Sequence, residues 1–373
     1  MQVAKTKLLL PVACLLAMPS VAQDHPAGMR HLVVHQESGR FGGWPANHGV
    51  WSWGNEILAG FELGYFKDNP TGHDIDYSKP AEHVLARSLD GGETWTLERP
   101  AGLQPPPGAQ VAGVPAGGEG KPVRDCEGGI DFSRSGFIIT FRMTSIHDGE
   151  SRFHYSSDRG KTWDGPCRLP NFGQPGIAAR TDYFINGPHD MTVLLTAAKS
   201  DHREGRVICV RTRDGAKTWS FVSYVGPEPL DYAIMPSSIR LGPAEILTAI
   251  RRREWIDVYR SNDNGESWSF VNQATLETGG NPPSTVLLPD GRVVVTYGYR
   301  KEPYSIRARI SKDHGLTWGE EIILRSDGGG RDLGYPRTVL RPDGKLVSVY
   351  YFNDAADRER YIGATIWDPG SVR

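Results

Sequence analysis

The chain has 373 residues, with 42 Lys and Arg against 44 Asp and Glu, and a formal net charge of −2. That balance excludes the global basic field that draws a protein to nucleic acid. With 44 Gly, 27 Pro and an ordinary 38% hydrophobic content, the composition disfavours long helices and suits many short strands joined by tight turns.

The first residues do not read as fold. Lys5 and Lys7 precede an apolar run over 8–18, and Ser20 and Ala22 place small residues where a leader is cleaved. The run is too short to span a bilayer. Residues 1–22 are therefore expected to be a secretory signal peptide, and 23–373 a single secreted or periplasmic domain. No other stretch is long and apolar enough for a membrane span.

Next comes an isolated strand pattern, RHLVVHQ at 30–36. Pairs of apolar runs with turn signals between them follow. They lie at 44–53 with 57–66, 129–132 with 137–144, and 182–185 with 191–199. Three more pairs lie at 235–241 with 246–253, 281–288 with 293–300, and 335–340 with 346–352. Each of the first five pairs is followed by one recurring phrase. It reads SLDGGETW at 88–95, SSDRGKTW at 156–163, TRDGAKTW at 212–219, SNDNGESW at 261–268 and SKDHGLTW at 311–318. In this phrase Asp is expected to accept backbone N–H bonds across a hairpin turn, Gly to take a positive φ, and Trp to cover the edge. Ala216 stands in the glycine position of the third copy, so that turn is expected to be strained or different. An aspartate that returns once per repeat is a structural group, not a catalytic one.

The repeated aspartates are 68, 56, 49 and 50 residues apart, the spacing of a four-stranded propeller blade with its loops. The sixth hairpin has a third strand at 361–367 but no turn phrase, and 30–36 is the candidate to complete it. The expected fold is all-β: a six-bladed β-propeller of four-stranded antiparallel blades, closed by strands from both chain ends. Cys126, Cys167 and Cys209 permit at most one disulfide and read as small buried hydrophobes. No cysteine pair or histidine pattern has metal-ligand spacing, so no metal or other cofactor is expected.

Phrases of the form Ser-x-Asp-x-Gly-x-Thr-Trp at blade spacing resemble the Asp-box, or BNR, repeats of the sialidase (neuraminidase) superfamily. The resemblance covers nearly all of the mature chain. It implies a site at the propeller axis, on the face opposite the turn phrases. It also implies a tyrosine nucleophile, a glutamate that takes its proton, an aspartate acid/base and three arginines on the substrate carboxylate. Tyr335 matches the tyrosine, Arg252 and its neighbours the arginine after the fourth hairpin, and Arg300 the arginine of blade 5. Asp74 or Asp76 matches the acid. Two matches fail: Gly43 stands where the first arginine belongs, and Ile234-Met235-Pro236 opens blade 4 without a glutamate. Asp131 and Asp182 are then expected to reach the mouth from blades 2 and 3 as substitute carboxylates. Arg180, Arg337, Trp44 and Asn281 complete the expected substrate-binding set.

The leading expectation is a sialidase-like exo-glycosidase that removes a terminal acidic sugar. One alternative is a uronate polysaccharide lyase with His48 or Tyr335 as base and Arg300 against the carboxylate. The other is a non-catalytic glycan-binding propeller, favoured if Asp74, Asp131 and Asp182 all point away from the pocket. His48 reads as a packed histidine within a strand.

Overall fold

In a computed structural model that describes residues 28–111, 114–118 and 120–371, every expected apolar pair except the second folds into an antiparallel hairpin. The leader at 1–22 lies outside the described residues. Six antiparallel sheets form a β-propeller. The first strands of blades 4, 5 and 6 (Ile234–Arg240, Pro283–Leu287 and Gly334–Leu340) lie against one another in turn around the axis. The second strand of each blade follows outward and is almost wholly buried, as in Val293–Tyr299 and Leu346–Phe352.

Blade 6 is closed by both chain ends. Arg30–His35 pairs antiparallel with Tyr361–Trp367, setting Leu32 opposite Ala364 and His31 opposite Thr365. Joining the ends in one sheet ties the ring into a circle.

The five turn phrases build one turn. In the first, the Asp90 carboxylate accepts the Thr94 N–H (2.9 Å) and hydroxyl (2.6 Å), Ser88 Oγ accepts the Gly92 N–H (2.8 Å), and the Trp95 indole donates to Gly92 O (2.9 Å). The third keeps the hydroxyl and carboxylate bonds, from the Ala216 N–H to Thr212 Oγ1 (3.0 Å) and from Thr218 to Asp214, but its Trp219 indole N–H is buried without a hydrogen-bond partner. Ala216 takes φ +71°, so the turn is retained and strain rests on a non-glycine residue in the left-handed region.

Three blades depart from the expected strands. The first strand of blade 1 is split into Arg40–Gly43 and Val50–Trp53 by a one-turn helix, Pro45–His48. That of blade 3 is split into Ile177–Ala178 and Tyr183–Gly187. Blade 2 has three regular strands, Ile138–Met143, Ser151–Ser156 and Asp164–Leu169, and the strand expected at 129–132 does not form. Gly128 and Gly129, at φ +86° and +72°, turn this segment toward the third turn phrase, where the Gly129 N–H donates to Asp214 O and the Ile130 N–H to Gly215 O. The inner edge it would have covered is met from the neighbouring blades. Thr140 Oγ1 donates to His48 O (2.7 Å) and the Phe141 N–H to Thr181 Oγ1 (3.2 Å).

Blades 1 and 2 also enclose His48, Glu62, His83, Arg142, Arg152 and His154, all buried. Burial pushes His48 and His83 well below the usual imidazole pKa and His154 down to about 3, and it raises Glu62 well above the carboxyl range. His48 is thus a packed group, on a helical turn rather than a strand.

Candidate functional site

Three large side chains stand before proline: Trp44-Pro45 in the break of blade 1's first strand, and Met235-Pro236 and Tyr335-Pro336 one residue into the first strands of blades 4 and 6. A residue before proline favours the extended region, yet these three adopt φ +60°, +52° and +49°. The strand register shifts at the same places, between Ile234 and Ser237 and between Gly334 and Arg337. The resulting kinks bring Trp44, Met235 and Tyr335 into one cluster at the axis.

Asn281 holds the tyrosine in this unfavourable conformation. Its Oδ1 accepts the N–H groups of Tyr335 (2.9 Å) and Gly298 (3.2 Å), and its Nδ2 donates to Leu333 O (2.8 Å). Asn281 has no exposed surface, so it is a positioning residue and makes no ligand contact. The approach is close: a Cβ on Gly334 would lie 2.4 Å from the Asn281 amide.

Above the tyrosine is a cavity of about 240 Å³, lined by Trp44, Asn47, His73, Tyr77, Arg180, Glu204, Tyr232, Arg251 and Tyr335 together with Met143, Ile146 and Ile234. Arg251 Nη1 donates to the Tyr335 hydroxyl at 2.9 Å. The Arg300 guanidinium lies 5.3 Å from the Tyr335 ring centroid, fixed by Leu333 O and the Tyr351 hydroxyl (2.7 Å). Arg180 pairs with Glu204 at 2.7 Å and donates to Asn47 Oδ1. Burial opposes ionisation of Tyr335, but the positive charges of Arg251, Arg300 and Arg180 outweigh it and lower its pKa below the usual 10.

The polar side chain packed beside the tyrosine is an imidazole. His73 stands edge-on to the Tyr335 ring, centroids 5.7 Å apart, with a quarter of its side chain exposed. Asp332 Oδ1 holds His73 Nδ1 at 2.6 Å and accepts the Tyr351 hydroxyl at 2.6 Å. Asp332 is buried, but the charges of His73, Arg300 and Arg360 keep its carboxyl well below the usual range. With Nδ1 fixed, Nε2 is the nitrogen left to exchange a proton with a ligand.

The expected site residues divide. Tyr335, Arg180 and Trp44 line the cavity, and Arg300 supports it from behind the tyrosine. Arg251 takes the place expected for Arg252, because alternation along Ile246–Arg251 and the turn after it send only one of these arginines inward. Arg252 pairs with Asp257 (2.5 Å) and Arg253 with Asp231.

The expected carboxylates lie elsewhere. Asp74 is turned to the Asn69 N–H and Arg360, one position past His73. Asp76 caps Ser78. Asp131 caps Ser133 on the segment that runs to the third turn phrase. Asp182 and Arg337 line a separate axial cavity of about 400 Å³, where Asp182 accepts from Ser238 N (3.0 Å) and Oγ (2.7 Å) and Arg337 donates to Ala46 O and Thr181 O. Burial raises Asp182 to about 6.

Sequence reasoning gave no role to Asp332 and Glu204, which follow no repeat, or to His73. The signal for His73 was its position: it adjoins Asp74, which the resemblance matched to the acid.

These features bear on ancestry. A model of the BNR repeat-like domain matches residues 116–348. The chain belongs to the BNR repeat-like domain family. Among curated relatives, a sialidase of Bacteroides fragilis is 24% identical in an alignment of 326 positions that covers 76% of this chain. The match covers 57% of that relative's length. A Dyadobacter fermentans protein of unknown function superposes with a TM-score of 0.69 at 21% identity, covering 92% of this chain and 99% of the other. A Penicillium chrysogenum α-L-arabinanase, solved with arabinobiose, superposes at 0.60 with 14% identity, over 93% and 100% of the two chains. At these identities the superpositions establish the propeller. Within this BNR-family propeller, the axial residues Tyr335, Arg251, Arg180 and His73 converge where a small polar ligand can reach them.

Proposed function

We propose that this protein is a sialidase-like exo-glycosidase that removes a terminal acidic sugar from glycans. The observation that carries the reading is the Tyr335 hydroxyl at the floor of the axial cavity. It is bonded to Arg251, its pKa is lowered by three arginines, and it faces His73. A cavity of about 240 Å³ is smaller than the roughly 300–1,000 Å³ of drug-sized sites and suits a single sugar residue. Arginines favour an anionic sugar over a neutral one, because guanidinium forks match a carboxylate.

In this mechanism Tyr335, its proton already released to solvent, attacks the anomeric carbon through the phenolate Oη while protonated His73 gives the Nε2 proton to the departing glycosidic oxygen. A tyrosine suits an anomeric centre that bears a carboxylate, since a carboxylate nucleophile would meet like charge. His73 then takes a proton from water, which displaces the tyrosine and leaves the anomeric hydroxyl. Asp332 keeps the imidazole oriented through both steps. The leader-like residues 1–22 support export to where glycans are found.

One observation favours a second reading. Among the described residues no carboxylate hydrogen-bonds the Tyr335 hydroxyl, so a His73–Tyr335 pair acting on a uronate by elimination is the alternative, with Arg251 against the carboxylate. The binding-only reading gains from Asp74, Asp131 and Asp182, which lie outside the cavity above Tyr335, and is opposed by His73, Asp332 and Glu204 around it.

The test is a panel of fluorogenic acidic and neutral glycosides together with uronate polysaccharides, using wild type, Tyr335→Phe and His73→Ala. Hydrolysis of an acidic glycoside that is lost in Tyr335→Phe supports the proposal. An unsaturated, ultraviolet-absorbing product replaces it with the lyase. Binding without turnover across the panel replaces it with a glycan-binding propeller.

A further inference from the structure

The chain enters blade 2 from its outer side. Residues 124–126 run parallel to the outer strand Asp164–Leu169, with Arg124 bridged to Cys167. The backbone ties are Arg124 N–H to Pro166 O (3.1 Å) and Arg168 N–H to Arg124 O (2.8 Å). The ionic ties are Arg124–Asp164 (2.8 Å) and Arg168–Asp125 (3.3 Å). All four partner side chains are at least 41% exposed, and such pairs hold weakly. Yet this strap matters to the fold. Its continuation bonds the third turn phrase, and blade 2 has only three regular strands among the described residues.

Two thiols meet under the strap. Cys167 belongs to the apolar cluster between blades 2 and 3, and half-buried Cys126 packs against that cluster. Each thiol perturbs the ionisation of the other, as neighbours do. Cys209 is buried within Glu204–Thr212 of blade 3, outside that cluster. We propose that Cys126 and Cys167 are a disulfide site, which staples the strap to the outer strand of blade 2 when the protein meets a small disulfide oxidant.

The order of events follows from exposure. Cys126 reaches solvent and Cys167 does not. The neighbouring Cys167 lowers the Cys126 thiol below its usual range, and the same contact with burial raises Cys167. Cys126 therefore attacks first, as thiolate, on one sulfur of the oxidant, forming a mixed disulfide and expelling one thiol. Cys167 then gives up its proton and attacks the Cys126 sulfur, expelling the second thiol. Two protein thiols are oxidised and one disulfide oxidant is reduced to two thiols. The loop closed runs from 126 to 167, so the bond constrains the unfolded chain as well as the strap.

The experiment treats the full-length protein with oxidised glutathione or with dithiothreitol, alkylates it in denaturant and maps the peptides by mass. After oxidation the Cys126 and Cys167 peptides are expected as one linked species, lighter by two hydrogens than their sum. After reduction they are expected separately alkylated, and Cys209 is expected alkylated in both. Reduction is also expected to speed proteolysis between 100 and 126 several-fold, an effect absent in Cys126→Ser. A persistent glutathione adduct on Cys126, or separate alkylation of both cysteines after oxidation, overturns the proposal. Linked cysteines with unchanged proteolysis overturn the stapling role. The mapping uses wild type, so it stands even if Cys126→Ser misfolds.

Discussion

Replacing Arg251 by Met should move the ionisation of Tyr335. The Arg251–Tyr335 bond is 2.9 Å long and part-buried, and a hydrogen bond to a charged group contributes about 1.5–3 kcal/mol. One pKa unit is about 1.36 kcal/mol, so losing the bond should raise the Tyr335 pKa by roughly 1–2 units. The assay is ultraviolet difference titration of tyrosinate, with Tyr335→Phe removing one of the 14 tyrosines. Burial raises Tyr77, Tyr183, Tyr259 and Tyr350, so these leave the low-pH end of the titration clear. Subtracting the Tyr335→Phe titration from wild type should leave one tyrosine ionising below pH 10, and the same subtraction from Arg251→Met should not. The sign for stability follows. Folded Tyr335 releases its proton before the unfolded chain does, so wild type gains stability over Tyr335→Phe as pH rises through that window. Identical titrations for wild type and Tyr335→Phe below pH 10 would refute the argument that the arginines outweigh burial.

Asp263→Ala removes acceptors for the Ser267 N–H (2.9 Å), the Ser267 hydroxyl and the Ser261 hydroxyl (2.7 Å). It should cost about 2–3 kcal/mol in urea denaturation, and a loss of glycan turnover at unchanged stability would contradict the structural role given to the turn aspartates. Gly334→Ala drives a Cβ to 2.4 Å from the Asn281 amide at a φ of +107°. Stability should fall by about 2–4 kcal/mol and the early tyrosinate signal should vanish, whereas a silent substitution would mean Asn281 does not hold Tyr335. The buried imidazoles stay neutral while those of the unfolded chain charge, so their contribution is full above about pH 6.5 and is lost as pH falls. Compared with wild type, His154→Gln should lose less stability per pH unit by up to about 1.4 kcal/mol between about pH 6 and 4, read by denaturation at several pH values. Parallel pH dependences would show that His154 is not neutral in the fold.

The positions of Trp44, Arg180, Arg300 and Tyr335 were legible because each sits at an end of a strand whose place in a repeat was known. His73 and Asp332 were not, because they lie on loops that no repeat governs, at 73 and 332, and meet only across the ring. Asp74 misled for a related reason. One residue along a loop reverses the direction of a side chain, so a carboxylate near the right position faces Arg360 while its neighbour faces the tyrosine. Asp131 was misplaced because glycines at 128 and 129 divert a segment whose composition reads as strand.

By itself the sequence determined the propeller, its six blades and its closure by both ends. Those features rest on local turn chemistry and on apolar alternation, and both are written in consecutive residues. Only the tertiary structure decided which arginine of 251–253 faces the axis, that Asn281 serves the backbone of Tyr335, and that His73 rather than Asp74 packs against Tyr335. Each of these depends on side chains from different blades meeting at the axis, where a bulge or a left-handed residue turns the chain by more than any pattern of neighbouring residues records.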